Sequence, residues 1–306
     1  MPLYSPRRKR LKPTVFIHTN HKQYLGALVS RYSLKKHSGD PQAFDVQLIE
    51  ARDYPCMRER EGQLYRRGGE MRPWLNNDLQ SFTPLRFAPP GLMGYTGRAV
   101  VIDPDIFAVG DIRELLQRDM QGKAIMCRPK SARKSRQGAW ASSVMLLDCA
   151  QLKHWRFEEN FNAMFEPVQR DYMDWISLKL EDPATIGPLE PEWNDFDNLT
   201  ERTRLLHNTK RKTQPWKTGM KIDFRPADTF QLFPPRRWFR RGRRALFGDY
   251  KHAGTYAPHP DPRQEAFFFR LVREALEDGA LDETLLQEEI SRGHLRPDAL
   301  QLLRTA

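Results

Sequence analysis

The sequence predicts an α/β fold, and three features carry that expectation. Thr14-Val-Phe-Ile-His18, an apolar stripe over Tyr24–Lys36 and Phe44-Asp-Val-Gln-Leu-Ile49 read as strand, helix and strand. A β-α-β opening of this kind starts a sheet with helices laid on its faces. Ala99-Val-Val-Ile102 is short, apolar and β-branched, the pattern of a strand buried on both faces. The run then stops at Asp103-Pro104-Asp105. Proline cannot donate to a sheet ladder, so the strand ends there.

Taken in order, residues 1 to 12 are rich in Pro, Arg and Lys and read as a basic, mobile N-terminus. The first strand closes on the polar cluster Thr19-Asn20-His21, and Leu25, Leu28, Val29 and Tyr32 then recur at helical spacing. Residues 53 to 80 are polar, with Arg66-Arg67-Gly68-Gly69 expected to be a mobile loop. Phe82-Thr-Pro-Leu-Arg-Phe87 precedes a break at Pro89-Pro90. Beyond Ile112, residues 113 to 118 read as a short helix, 124 to 127 as a strand and 128 to 136 as a strongly basic loop. Residues 151 to 165 and 171 to 180 read as helices, the second with Asp171 placed to cap it. Phe267, Phe268, Leu271, Val272, Leu276, Leu285, Leu286 and Ile290 give residues 263 to 305 helical periodicity, broken at Gly279 and Gly293. This predicts a helical C-terminal appendage.

Composition narrows the class. A chain of 306 residues with 39% hydrophobic content can bury a sizeable core. No stretch offers the roughly 18 consecutive apolar residues of a membrane helix, and no apolar signal segment follows the basic N-terminus. A cytoplasmic location is therefore expected. Cys56, Cys127 and Cys149 show neither metal spacing nor a disulfide framework, which fits a reducing compartment. The net charge of +11 calls for an anionic partner. Nucleic acid, anionic lipid and phosphorylated sugars all qualify.

Two stretches carry chemistry. Ligands of open α/β sheets collect at the carboxyl ends of strands, where Asp103 and Asp105 offer hard oxygen ligands suited to Mg²⁺ or Mn²⁺. Later, Thr203-Arg-Leu-Leu-His207 leads into a basic turn that closes on Pro215-Trp216. Imidazole is a common metal ligand, and Lys210, Arg211, Lys212 and Lys217 are cations suited to phosphate oxygens. Each stretch also has an ordinary reading: Asp and Pro are common turn residues, and the basic turn suits a solvated surface loop.

Together the two stretches resemble family 8 glycosyltransferases, the group of glycogenin and the lipopolysaccharide galactosyl- and glucosyltransferases. The family's Asp-x-Asp, apolar residues and Gly-Asp-Ile appear here as Asp103-Pro-Asp105-Ile-Phe-Ala-Val-Gly110-Asp111-Ile112. Its late His…Pro-Trp signature appears as His207 with Pro215-Trp216. The resemblance spans about residues 14 to 217. It implies a GT-A type, nucleotide-sugar-binding mixed sheet flanked by helices, over residues 13 to 232. Residues 233 to 306 then form a basic and aromatic segment and the helical C-terminal region.

The resemblance also implies roles. Asp103, Asp105 and His207 would hold Mn²⁺ or Mg²⁺, which grips the diphosphate of a UDP-sugar donor. Thr19 and Asn20 stand at the strand end that holds the base. Arg86 matches an arginine that contacts donor sugar and phosphate. Lys210 or Lys212 would reach the phosphate, with Trp216 beside them, and Asp174 is the carboxylate nearest the reacting carbon. Trp140–Asp148 resembles a family strand, and Glu192-Trp193-Asn194 contains a Trp-Asn the family often carries. The chain departs from the pattern at Ala141, at Ser143 and at Gln214, where the family has asparagine, glycine and lysine.

The implied reaction moves a hexose, with retained configuration, to a glycan or lipid-linked acceptor. Arg236, Arg237, Arg240, Arg241, Arg243 and Arg244 stand among Trp238, Phe239, Leu246 and Phe247, a mixture suited to the inner face of an anionic membrane. Two other readings compete. One is a nucleic-acid or anionic-surface binding protein, which lacks any recognised nucleic-acid motif. The other is a family member that binds donor without turnover.

Overall fold

The computed structural model describes residues 12–130, 140–224 and 254–305. The arginine run at 236–244 and most of the basic loop at 128–136 lie outside the described residues. The chain forms two compact units, residues 1–74 with 82–207, and residues 75–81 with 208–306. Among the described residues no helix is long and apolar enough to cross a membrane.

The first unit is α/β. Its strands are β1 (Thr14–Thr19), β2 (Asp45–Glu50), β3 (Leu64–Arg67), β4 (Glu70–Pro73), β5 (Arg98–Ile102), β6 (Ile106–Ala108), β7 (Ile125–Pro129), β8 (Trp140–Asp148), β9 (Ile186–Pro188), β10 (Asp195–Phe196) and β11 (Leu205–His207). Six of them form a mixed sheet in the order β2-β1-β5-β8-β7-β9. β2, β1 and β5 run parallel, and β8 is antiparallel to both of its neighbours. Side chains alternate across a strand. Phe16, Ala99, Val101, Met145 and Leu147 therefore pack on one face, and Val15, Ile17, Val100, Ile102, Val144 and Leu146 on the other. A strand covered on both sides must be apolar along its buried length, as β5 is from Ala99 to Ile102.

β5 ends at Ile102, and the chain turns through Asp103-Pro104-Asp105 into β6. β6 joins β10 and β11 in a small second sheet. The helix Tyr24–Lys36 (α1) backs this turn. Ser33 Oγ accepts from the Ala108 amide at 2.8 Å, and a side chain at Gly26 would bring its first carbon 2.8 Å from the Pro104 carbonyl oxygen. The helix thus sits against the turn at a distance only glycine permits. Past β6, the Asp111 carboxylate accepts from Gly39 N at 3.1 Å, Arg113 N at 2.9 Å and Arg113 Nη2 at 2.6 Å. Partial burial pushes against its ionisation, but these donors hold its pKa down at about 2.

Several expectations are corrected. Arg66-Arg67-Gly68-Gly69 is not a loose loop but the end of the β3–β4 hairpin, with both glycines at positive φ, 63° and 83°. Two such residues make the tight turn whose twist matches a hairpin. The expected helix at 151–165 is helical only over Phe157–Asn162, with Leu152 and Trp155 reaching the core from turns. The one at 171–180 spans Tyr172–Ile176 and stops before Leu178, which adopts φ 59°.

The second unit contains helices Pro262–Glu277, Glu283–Ser291 and Ala299–Thr305. Leu79 packs with Ile222, Phe224 and Tyr256. Lys217, expected as a phosphate-binding surface cation, is fully buried. Its ammonium is 2.7 Å from the Asp223 carboxylate, which also accepts from the Tyr256 hydroxyl at 2.5 Å. Burial lowers its pKa despite that carboxylate.

Two outcomes follow from this packing. Gly26→Ala loses about 1–3 kcal/mol in urea unfolding, because overpacking against a backbone carbonyl outweighs the helix propensity gained. Asp111→Asn lowers stability at neutral pH. A depressed folded pKa contributes above the unfolded value, so the gap to wild type closes between about pH 4 and pH 2 in acid titrations followed by circular dichroism.

Candidate metal centre

Sheet register assembles the site. Asp103 and Asp105 flank Pro104 at the carboxyl end of β5, and β11 pairs antiparallel with β6 so that His207 lies opposite Ile106. Asp105 is one residue before Ile106, so the pairing delivers the imidazole to the acid pair. One ligand atom from each of Asp103, Asp105 and His207 falls within 4.8 Å of the others, and Nε2 of His207 is 3.4 Å from Oδ1 of Asp105.

Asp103 is gripped by two cations or potential cations. Arg86, on the 3₁₀ turn Thr83–Phe87, donates through Nη2 to both carboxylate oxygens at 2.8 and 3.1 Å, and through Nη1 to Ser142 Oγ at 2.6 Å. His18, near the end of β1 and fully buried, brings Nε2 to 2.9 Å from Oδ1. Ser142 donates in turn to the Ile176 carbonyl. Burial works against ionisation of Asp103, but Arg86 first and then His18 overcome it and hold the carboxyl well below the usual range. His18 itself is lowered by burial, which Asp103 only partly offsets.

His207 is buried, 6% exposed. Its Nδ1 is 2.8 Å from Asn194 Oδ1, and its ring meets Phe196 edge-on at 5.5 Å. Burial favours the neutral ring, but the Asp105 carboxylate, with Asp103 behind it, more than reverses this and raises its pKa.

The donor set fits a divalent cation. Opposite ligands on an ion with bonds of about 2.1 Å lie roughly 4.2 Å apart, so small side-chain rotations close the observed span. Two carboxylates with one imidazole suit Mn²⁺ and are less typical of Mg²⁺. The acid pair also needs nearby positive charge, and Arg86 provides part of it.

Other residues nominated from the sequence fall as follows. Thr19 and Asn20 are buried where β1 ends; Thr19 Oγ1 donates to the Asn20 carbonyl and Asn20 Oδ1 accepts from Lys22 N. Asp174 is half-exposed and ion-paired to Lys179 at 2.9 Å. Asp171 caps its helix, accepting from Met173 N at 2.7 Å, and also takes Gly68 N and Gly69 N at 3.0 and 2.8 Å. In the second unit, Lys210 and Lys212 are exposed, and Trp216 is buried with its ring 4.9 Å from Phe268. His18, Ser142 and Gly26 were not singled out as site residues from sequence. Nothing in their own neighbourhoods marks them, since their partners come from distant elements.

No family model matches the chain, and no curated protein does. Among solved structures, it is similar to the glycosyltransferase GlyE of Streptococcus pneumoniae TIGR4, at 12% identity and TM-score 0.47, over 88% of this chain and 64% of that one. It is also similar to the galactosyltransferase LgtC in complex with donor and acceptor sugar analogues, at 11% identity and TM-score 0.48, over 66% and 89%. A third is mouse xyloside xylosyltransferase 1, at 12% identity and TM-score 0.43, over 65% and 98%. At these identities and TM-scores the likenesses carry no functional argument.

Arg86→Ala leaves Asp103 without its guanidinium. The expected cost is about 3 kcal/mol in chemical unfolding, since an uncompensated buried charge remains.

Proposed function

We propose that this chain is a metal-dependent glycosyltransferase of GT-A type that moves a hexose from a UDP-sugar to a glycan or lipid-linked acceptor with retained configuration. The convergence of Asp103, Asp105 and His207 beside the carboxyl end of a parallel strand carries the reading. A site built this way suits a diphosphate, whose two negative groups need a fixed cation.

When bound, Mn²⁺ or Mg²⁺ supplies Lewis-acid neutralisation of the charge that develops on the leaving diphosphate. Asp103, Asp105 and His207 hold it. Arg86 keeps Asp103 ionised and adds positive charge beside the donor. In this reading Thr19 and Asn20 face the base, and Asp174 is the carboxylate assigned to the reacting carbon.

Calorimetry of UDP binding with and without Mn²⁺ tests the proposal. Asp105→Asn abolishes the Mn²⁺-dependent component. Wild-type-like, Mn²⁺-dependent binding in that variant removes the metal centre. A thermal-shift series of nucleotide sugars with Mn²⁺ then identifies the donor.

A further inference from the structure

Behind His207 stands a short buried chain of polar groups. Asn194 is fully buried in the 3₁₀ turn Pro191–Asn194. Its Oδ1 faces His207 Nδ1 at 2.8 Å, and its Nδ2 donates to Ser143 Oγ at 2.9 Å. Ser143 lies on β8, and its carbonyl accepts from Asp103 N at 3.1 Å. The Asn194 carbonyl takes Arg128 Nη1 at 2.6 Å, and β10, which pairs with β11, starts at the next residue. Backbone and side chain of Asn194 are therefore both tied down.

A neutral imidazole carries one proton and one lone pair, and the hydrogen bond at one nitrogen decides what the other presents. Two acceptors compete for the His207 proton: Asn194 Oδ1 at 2.8 Å from Nδ1, and Asp105 Oδ1 at 3.4 Å from Nε2. The first lies at normal hydrogen-bond length and the second does not. An amide oxygen can only accept, so the short contact with Asn194 Oδ1 calls for the proton on Nδ1, while the amide nitrogen on the far side donates to Ser143 Oγ. Glycine at 143 would leave that nitrogen without this partner.

We infer that Asn194, held at its other end by Ser143, is a positioning residue that fixes neutral His207 as the Nδ1–H tautomer and leaves Nε2 bare on the side of Asp103 and Asp105. The inference rests on the metal-centre reading for its purpose, but the tautomer belongs to the metal-free protein and is read without it. A proton on Nε2 blocks a cation; a lone pair there accepts one. The arrangement spares the site a tautomer exchange before loading.

The test uses full-length protein labelled with ¹⁵N-histidine, metal-free, at a pH high enough that the His207 nitrogens show the shifts of a neutral ring. Long-range ¹H–¹⁵N spectra distinguish the two tautomers, and the His207 signals are assigned by their loss in His207→Gln. Wild type and Asn194→Asp, which keeps an acceptor at this position, show the Nδ1–H pattern. Asn194→Ala shifts toward Nε2–H, and its Mn²⁺ dissociation constant, from calorimetry, rises about 10–100-fold. Ser143→Ala moves both readouts the same way by a smaller factor. A wild-type Nε2–H pattern overturns the inference, as does an Asn194→Ala protein with unchanged tautomer and Mn²⁺ affinity. If Asn194→Ala does not fold, the wild-type, Asn194→Asp and Ser143→Ala spectra decide. Wild type that binds no Mn²⁺ but shows the Nδ1–H pattern sinks the metal centre and leaves the tautomer assignment standing.

Discussion

Three residue pairs, β6 against β11, decide whether the acid pair has a third partner. Leu205, Leu206 and His207 face Ala108, Phe107 and Ile106 in antiparallel register. Side chains alternate with a period of two, so a slip of one residue would send the imidazole to the opposite face. The burial of Leu205 and Leu206 makes that slip costly. Apolar packing, not polar chemistry, thus places the histidine, and α1 fixes the other side of the site by its close approach at Gly26.

Adjacent serines of β8 divide the work around the site. Ser142 accepts from Arg86, which holds Asp103; Ser143 accepts from Asn194, which meets His207. Consecutive residues of a strand project to opposite faces. One dipeptide therefore braces two ligands through two separate relays. Both hydroxyls are buried with their partners, where a hydrogen bond is stronger and an unmade one costlier than in water.

Elements with local periodicity were legible in the sequence. β1, α1, β2 and β5 follow from unbroken apolar or helically spaced runs. The Asp103-Pro104-Asp105 stop was legible because proline and carboxylates punctuate a strand. That His207 comes near them was legible only through the order of two motifs along the chain, because register does not show in local pattern. His18, Ser142 and Lys217 were opaque for the same reason: each is defined by a partner distant in sequence or by burial that a polar residue type argues against. The hairpin was missed although Gly68-Gly69 is a turn signal, because strands of only four largely polar residues barely alternate.

The Asp171 carboxylate stitches the tip of that hairpin to the start of a helix, taking amides from Gly68, Gly69 and Met173. Those amides more than offset its burial and keep it ionised to lower pH than an ordinary aspartate. Arg66-Arg67-Gly68 is the kind of sequence trypsin cleaves first when it lies in a loose loop. Here cleavage must wait for the tip to come undone. A single carboxylate thus gives an arginine-rich turn a protease resistance that fades in acid, as the group protonates and lets the amides go.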